Sequence, residues 1–105
     1  MEAKLLKFDK NYSKLDSPVF ATLRLNPPNK SKYVKNKEYM VKSPGQTFVA
    51  ECIMILEGQL RNLGDDFLMA DTDTESRQEA IEELRRYYPE LKKDTLMTCY
   101  WFEKL

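Results

Sequence analysis

Alternation of apolar and polar positions predicts strands at four places along this chain. Val19 to Leu25 places Val19, Ala21, Leu23 and Leu25 on one face and Phe20, Thr22 and Arg24 on the other. The odd residues read as core, and the even face reads as opening on a cleft. Tyr39 to Lys42 is a second, short strand. Ser43-Pro44-Gly45-Gln46 follows as a turn, with proline and glycine suited to its two central positions. Thr47 to about Glu57 is a long strand with Phe48, Ala50, Cys52, Met54 and Leu56 on its core face. Val49, Ile53 and Ile55 give it a partly covered opposite face. Thr95 to Glu103 is apolar on both faces, which predicts a central or covered strand.

Two segments carry helical spacing instead. Phe8, Tyr12 and Leu15 predict a short helix over Phe8–Leu15 with Asp9 as its N-cap, stopped by Ser17-Pro18. The clearer signal is "SRQE" at Ser76–Glu79, a capping box opening a helix that runs to Tyr88 and ends before Pro89. Ala80, Ile81, Leu84 and Tyr88 form its apolar stripe, and Glu82 with Arg86 makes an i,i+4 pair on the wet side. "ADTDTE", Ala70 to Glu75, reads as an acidic turn just before that helix, where negative charge favours the N-terminus. Asn26-Pro27-Pro28-Asn29 reads as a turn or extended loop. Strands around a basic loop, with one helix inserted late, predict an α+β fold with a small curled sheet.

Composition narrows the chemistry. The chain has 105 residues and 42% hydrophobic content, which suits one folded domain over 1–105. The longest apolar run, Cys52–Leu56, is too short to span a membrane, and Lys4, Lys7 and Lys10 break up any signal-peptide core; a cytoplasmic protein is expected. Histidine is absent, and the two cysteines, Cys52 and Cys99, have no CxxC spacing. No metal site and no cofactor are expected, both cysteines read as buried and reduced, and a histidine-activated nucleophile is excluded. Net charge is zero, but residues 1–50 carry a balance of +6 and residues 51–105 a balance of −6. Such a split can mark a polyanion site in the basic half.

The order of motifs resembles the ASCH domain group of the PUA-like superfamily over nearly the whole chain. The residues that carry the resemblance are "LKFDKNYSKL", the "ATLRL" strand with Thr22 and Arg24, "YVKNKEYMVK", "FVAECIMI", the acidic turn leading to Tyr-Pro, and the final "TLMTCYWFEKL". The resemblance implies a small PUA-like β-barrel with flanking helices, and RNA or nucleotides as partners. It also implies a second possibility, because some small relatives are amidohydrolases that remove acetyl from acetylated cytidine with a lysine, a threonine and a glutamate. Their G-x-K-T-x-T-x-R pattern aligns here with "DSPVFATLR". Thr22 and Arg24 match its end, while Val19 stands where the lysine belongs. The acid is expected near Asp73, with Asp71 and Glu75 close by.

These readings give a set of candidate residues. Arg24 offers two directed donors to a phosphate or base edge, and Thr22 a hydroxyl beside it. Phe20 and Tyr33 offer rings on which a base could stack, and the structural alternative for Phe20 is core packing on a two-sided strand. Lys30, Lys32, Lys35 and Lys37 would neutralise phosphates. The structural alternative for Arg24 is an ion pair with Asp71 or Asp73. The expected function is a non-catalytic RNA- or nucleotide-binding module. The alternatives are an amidohydrolase using Thr22 and Asp73, and a protein-interaction domain.

Overall fold

The computed structural model describes residues 4–25 and 33–105. Five strands form one mixed sheet: β1 Lys4–Lys7, β2 Val19–Arg24, β3 Glu38–Ser43, β4 Gln46–Gln59 and β5 Leu96–Lys104. Their order is β1-β3-β4-β5-β2. β1 runs parallel to β3, and the other pairings are antiparallel. Among the described residues no ladder joins β1 to β2, so the pairings form an open run. Two helices, α1 Asp65–Thr72 and α2 Arg77–Tyr87, precede β5, and 3-10 turns cover Ser13–Asp16 and Leu60–Asn62. No described helix is long and apolar enough to cross a membrane.

The sheet buries two different faces. On one face Phe20, Tyr39, Tyr100 and Phe102 pack with Phe8, Tyr12 and Tyr33, and Phe20 stacks on Phe102 at 5.5 Å between ring centroids. On the other face Ala21, Leu23, Met97 and Cys99 meet Leu68 of α1 and Ala80 and Leu84 of α2. β5 contributes Tyr100 and Phe102 to the first cluster and Met97 and Cys99 to the second, and this cover on both sides accounts for its apolar residues on both faces. Both cysteines are free and buried, and burial pushes the Cys99 thiol up to about 12.

Several local expectations hold. The Pro44-Gly45 turn joins β3 to β4, with Gly45 at φ +90° as a type II turn requires. The Ser76 hydroxyl caps α2 by accepting from Glu79 N–H at 3.1 Å. The Glu79 carboxylate reaches one residue further back, to Glu75 N–H.

Others are corrected. Phe8–Leu15 is not a helix: Phe8 N–H donates to Lys42 O and extends the β1 ladder, so only Ser13–Asp16 turns. Asp9 caps nothing there. β4 does not keep one core face, because a bulge between Cys52 and Met54 shifts its register against β5. Cys52 and Ile55 therefore share the aromatic face, while Met54 and Leu56 are exposed. One extra residue inverts every side chain beyond it. "ADTDTE" is not a free turn. Ala70–Thr72 ends α1, an element that the alternation of apolar positions does not mark, and Asp73 caps it in the left-handed region at φ 59°. Arg86 pairs with Glu83 at 2.9 Å, leaving Glu82 to accept from Gln78.

Candidate functional site

β2 is an end strand of the sheet, and its even residues continue the aromatic face outward from Phe20. Register with β5 sets Thr22 opposite Tyr100 and Arg24 opposite Thr98. Phe20 sits at the buried end of this row, and Thr22 and Arg24 lead from it into a cavity of about 260 Å³. Arg24 Nε donates to Thr22 Oγ1 at 3.1 Å, and the guanidinium lies 5.4 Å from the centroid of the Phe8 ring. Among the described residues Arg24 forms no ion pair, with Asp71, Asp73 or any other acid, and its two Nη groups have no protein acceptor. A planar cation held from below, with its outer donors unspent, is suited to an anion or a base edge.

A second cation enters from the Ser13–Asp16 turn. Lys14 Nζ lies 2.7 Å from Asp71 Oδ1, and the two side chains are only 9% and 6% exposed. Asp71 Oδ1 also accepts from Leu23 N–H at 3.2 Å, so the last turn of α1 satisfies one donor on the free edge of β2. Lys14 Nζ stands 5.2 Å from the centroids of both Phe8 and Tyr12. Burial holds the Lys14 ammonium below its ordinary value, against the pull of Asp71. Lys14, Asp71, Thr22 and Arg24 therefore line one cavity.

The outer wall is phenolic. Tyr87 O–H donates to the Asp9 carboxylate, with oxygens at 2.7 and 2.8 Å. Its single proton is thereby used, so the Tyr12 O–H is the donor in the 3.2 Å contact between the two hydroxyls. This chain ties the segment after β1 to the end of α2. Burial, with the Tyr87 contact second, pushes the Tyr12 phenol far above its ordinary value.

The expected site residues separate into two groups. Thr22 and Arg24 come together as the alternation predicts. Phe20 and Tyr33 do not join them: they are 2% and 5% exposed, built into the aromatic core, and present no free face for a base. Lys35 and Lys37 are exposed on either side of Asn36, whose N–H donates to Cys52 O beside the β4 bulge, and neither lines the cavity. Lys30, Lys32 and the Asn26–Asn29 turn lie outside the described residues. Asp73 is also outside the cavity wall, because its carboxylate accepts from Ser13 Oγ at 2.6 Å and from Ser13 N–H. The acid in the cavity is Asp71.

Lys14 is the residue that sequence reasoning missed. Nothing in "NYSKLD" distinguishes it from a solvated lysine; its burial exists only because α1 brings Asp71 against it. Tyr87 and Tyr88 left a weak trace in the Tyr-Pro end of α2, as aromatic residues on a helix with a short apolar stripe.

No protein-family model matches the chain, and no curated protein matches it either. Among solved structures, the high-resolution crystal structure of an ASCH domain from Lactobacillus crispatus aligns with a TM-score of 0.72 at 13% identity. The alignment covers 96% of this chain and 79% of that one. Likeness at that identity concerns backbone architecture, and it extends over nearly the whole chain. This chain has the fold of an ASCH domain.

Proposed function

We propose that residues 1–105 act as one PUA-like unit that binds RNA or a nucleotide, with a single nucleotide unit entering the cavity beside β2. The observation that carries the reading is Arg24: its Nε is fixed by Thr22, its face rests on Phe8, and its Nη donors are unspent among the described residues. The cavity is near the lower end of ligand pockets, which run from about 300 to 1,000 Å³, so it suits one base or one nucleoside. Tyr12, Tyr87 and Tyr88 supply apolar and aromatic wall, and Thr22 a hydroxyl for orientation. Lys30, Lys32, Lys35 and Lys37 contribute attraction for phosphates, independent of sequence. Titration of single-stranded RNA and of mononucleotides into the wild type and Arg24→Ala tests the reading. Binding in the wild type with at least a tenfold loss in the variant supports it; equal affinity in both removes it.

A second reading, a hydrolase of an acylated nucleoside, is favoured by one specific observation. A buried lysine with a lowered pKa lines the same cavity as Thr22 and Asp71. The position of Val19 argues against a lysine in the expected place in the sequence, yet Lys14 delivers an amine to the cavity from a different element. In this reading Thr22 is nucleophile or proton relay, Lys14 in its neutral form takes the hydroxyl proton, and Asp71 replaces Asp73 as the acid. Incubation with acetylated cytidine decides it: absence of turnover, or turnover that survives Thr22→Val, excludes the hydrolase.

A further inference from the structure

The other flank of α2 carries a cationic groove that the sequence charge balance conceals. Residues 51–105 are net acidic, yet four of their basic residues, Arg61, Arg77, Arg85 and Lys93, line one depression of about 470 Å³. Leu60, Leu63 and Ile81 form its apolar floor, and Asp65 is the acid in its lining.

The four cations are not equivalent. Arg77 is consumed by the protein: Nη1 donates to Leu63 O and to Asp65 at 2.8 Å, and Nη2 donates to Leu60 O and Arg61 O. It clamps the 3-10 turn Leu60–Asn62 to the start of α2 and neutralises Asp65. Three charges remain. Among the described residues neither Arg61 nor Lys93 has an ion pair or a side-chain hydrogen bond, and Arg85 bonds only through Nε, to Leu91 O at 3.3 Å. Its planar Nη pair is unspent.

Backbone bonds bring these three together. Arg61 N–H donates to Lys93 O at 2.8 Å, and Leu60 N–H donates to Thr95 O, which sets the 3-10 turn against the loop before β5. The Arg85 bond to Leu91 O fastens α2 to the same loop. Three like charges converging from three elements repel one another, and a bound anion relieves that repulsion. A fork beside two flexible cations matches the oxygens of phosphate, where arginine bonds in two directions and lysine acts as a point charge.

We propose that the groove formed by Arg61, Arg85 and Lys93 binds phosphate groups, as a site separate from the Arg24 cavity and independent of the reading given to it. Phosphate can come from the backbone of a nucleic acid or from a small phosphorylated molecule, and two probes separate these sources. The full chain, labelled with 15N, is titrated with pyrophosphate and separately with a short oligouridylate at several salt concentrations. The amide signals of Arg61, Arg85 and Lys93 are expected to move on addition of pyrophosphate. Arg61→Gln/Lys93→Gln is expected to weaken this binding about tenfold, and where the oligouridylate binds, to lower its salt slope by about 1 for each cation removed. Both side chains are exposed, so the fold is retained, which circular dichroism verifies. Arg24→Ala is expected to leave these shifts unchanged, which separates this site from the cavity. Tighter, more salt-dependent binding of the oligouridylate identifies a nucleic-acid backbone, and response to pyrophosphate alone identifies a small phosphorylated ligand. If neither probe moves these amides, or the double variant binds both as the wild type does, the proposal is wrong.

Discussion

The two flanks of α2 treat positive charge in opposite ways. On the cavity side Lys14 is buried against Asp71, and Arg24 is braced by Thr22 and Phe8. On the groove side Arg61, Arg85 and Lys93 keep their heads in water with little or no side-chain bonding. The first arrangement fixes donors in place, which suits recognition of one ligand geometry at a cost in desolvation. The second leaves them free, which suits attraction of phosphate without regard to what carries it. Buried cations are structurally indispensable, whereas exposed ones are replaceable, and substitutions on the two flanks should differ accordingly.

The largest expected effect is on Lys14. Lys14→Met leaves the Asp71 carboxylate buried without its counter-ion and should destabilise the fold by about 3–5 kcal/mol, read as the urea midpoint. Lys14→Met/Asp71→Asn should recover most of that loss, because the amide oxygen still accepts from Leu23 N–H while no charge stays buried. A double variant as unstable as the single one would refute the ion-pair account. The same burial fixes a pH dependence. The folded-state pKa of Lys14 lies below the ordinary 10.5, so between the two values the unfolded chain binds more protons. Stability from this group should therefore rise with pH across that window, and Lys14→Met should abolish the rise.

Arg24→Ala comes next. Its loss should change ligand affinity by about 1.5–3 kcal/mol, the worth of a charged hydrogen bond, with little change in the urea midpoint. A variant that binds normally but unfolds easily would make Arg24 a structural residue like Lys14 and remove the recognition role of the cavity side.

Tyr87→Phe removes the donor to Asp9 and the acceptor for Tyr12, and should cost about 1 kcal/mol of stability. Thermal denaturation of the variant measures this, and no shift in midpoint would mean the phenolic wall is not fastening the segment after β1. The smallest effect is on acid stability. Lys10, followed by Arg86, lowers the Glu83 pKa below its ordinary 4.5. The contribution of Glu83 is therefore present above 4.5 and lost as pH falls through the lowered value. Glu83→Gln should flatten acid unfolding only slightly, since an ion pair with an exposed partner is worth little.

What could be read from the residues alone divides along physical lines. β2, β3 and β5 were legible within a residue or two, because burial of one or both faces imposes its period directly on the sequence. The start of α2 was legible because its cap is local chemistry between Ser76 and Glu79. β1 was not, since "KLLK" is too short to show alternation and exists by pairing with β3. The second half of β4 was misassigned because a bulge breaks the period without any marker residue. α1 escaped because its burial rests on Leu68, Asp71 and Thr72, two of them polar.

The candidate site divides in the same way. The residues themselves determined the α+β class and the placement of Thr22 and Arg24 on one side of a strand, because spacing along a strand fixes relative direction. Only tertiary structure decided that Phe20 and Tyr33 are core, that Asp71 rather than Asp73 faces the cavity, and that Lys14 enters it. It also decided that Arg61, Arg85 and Lys93 line one groove. Burial and charge pairing depend on neighbours distant in the chain, and no local pattern records which residue will stand opposite another.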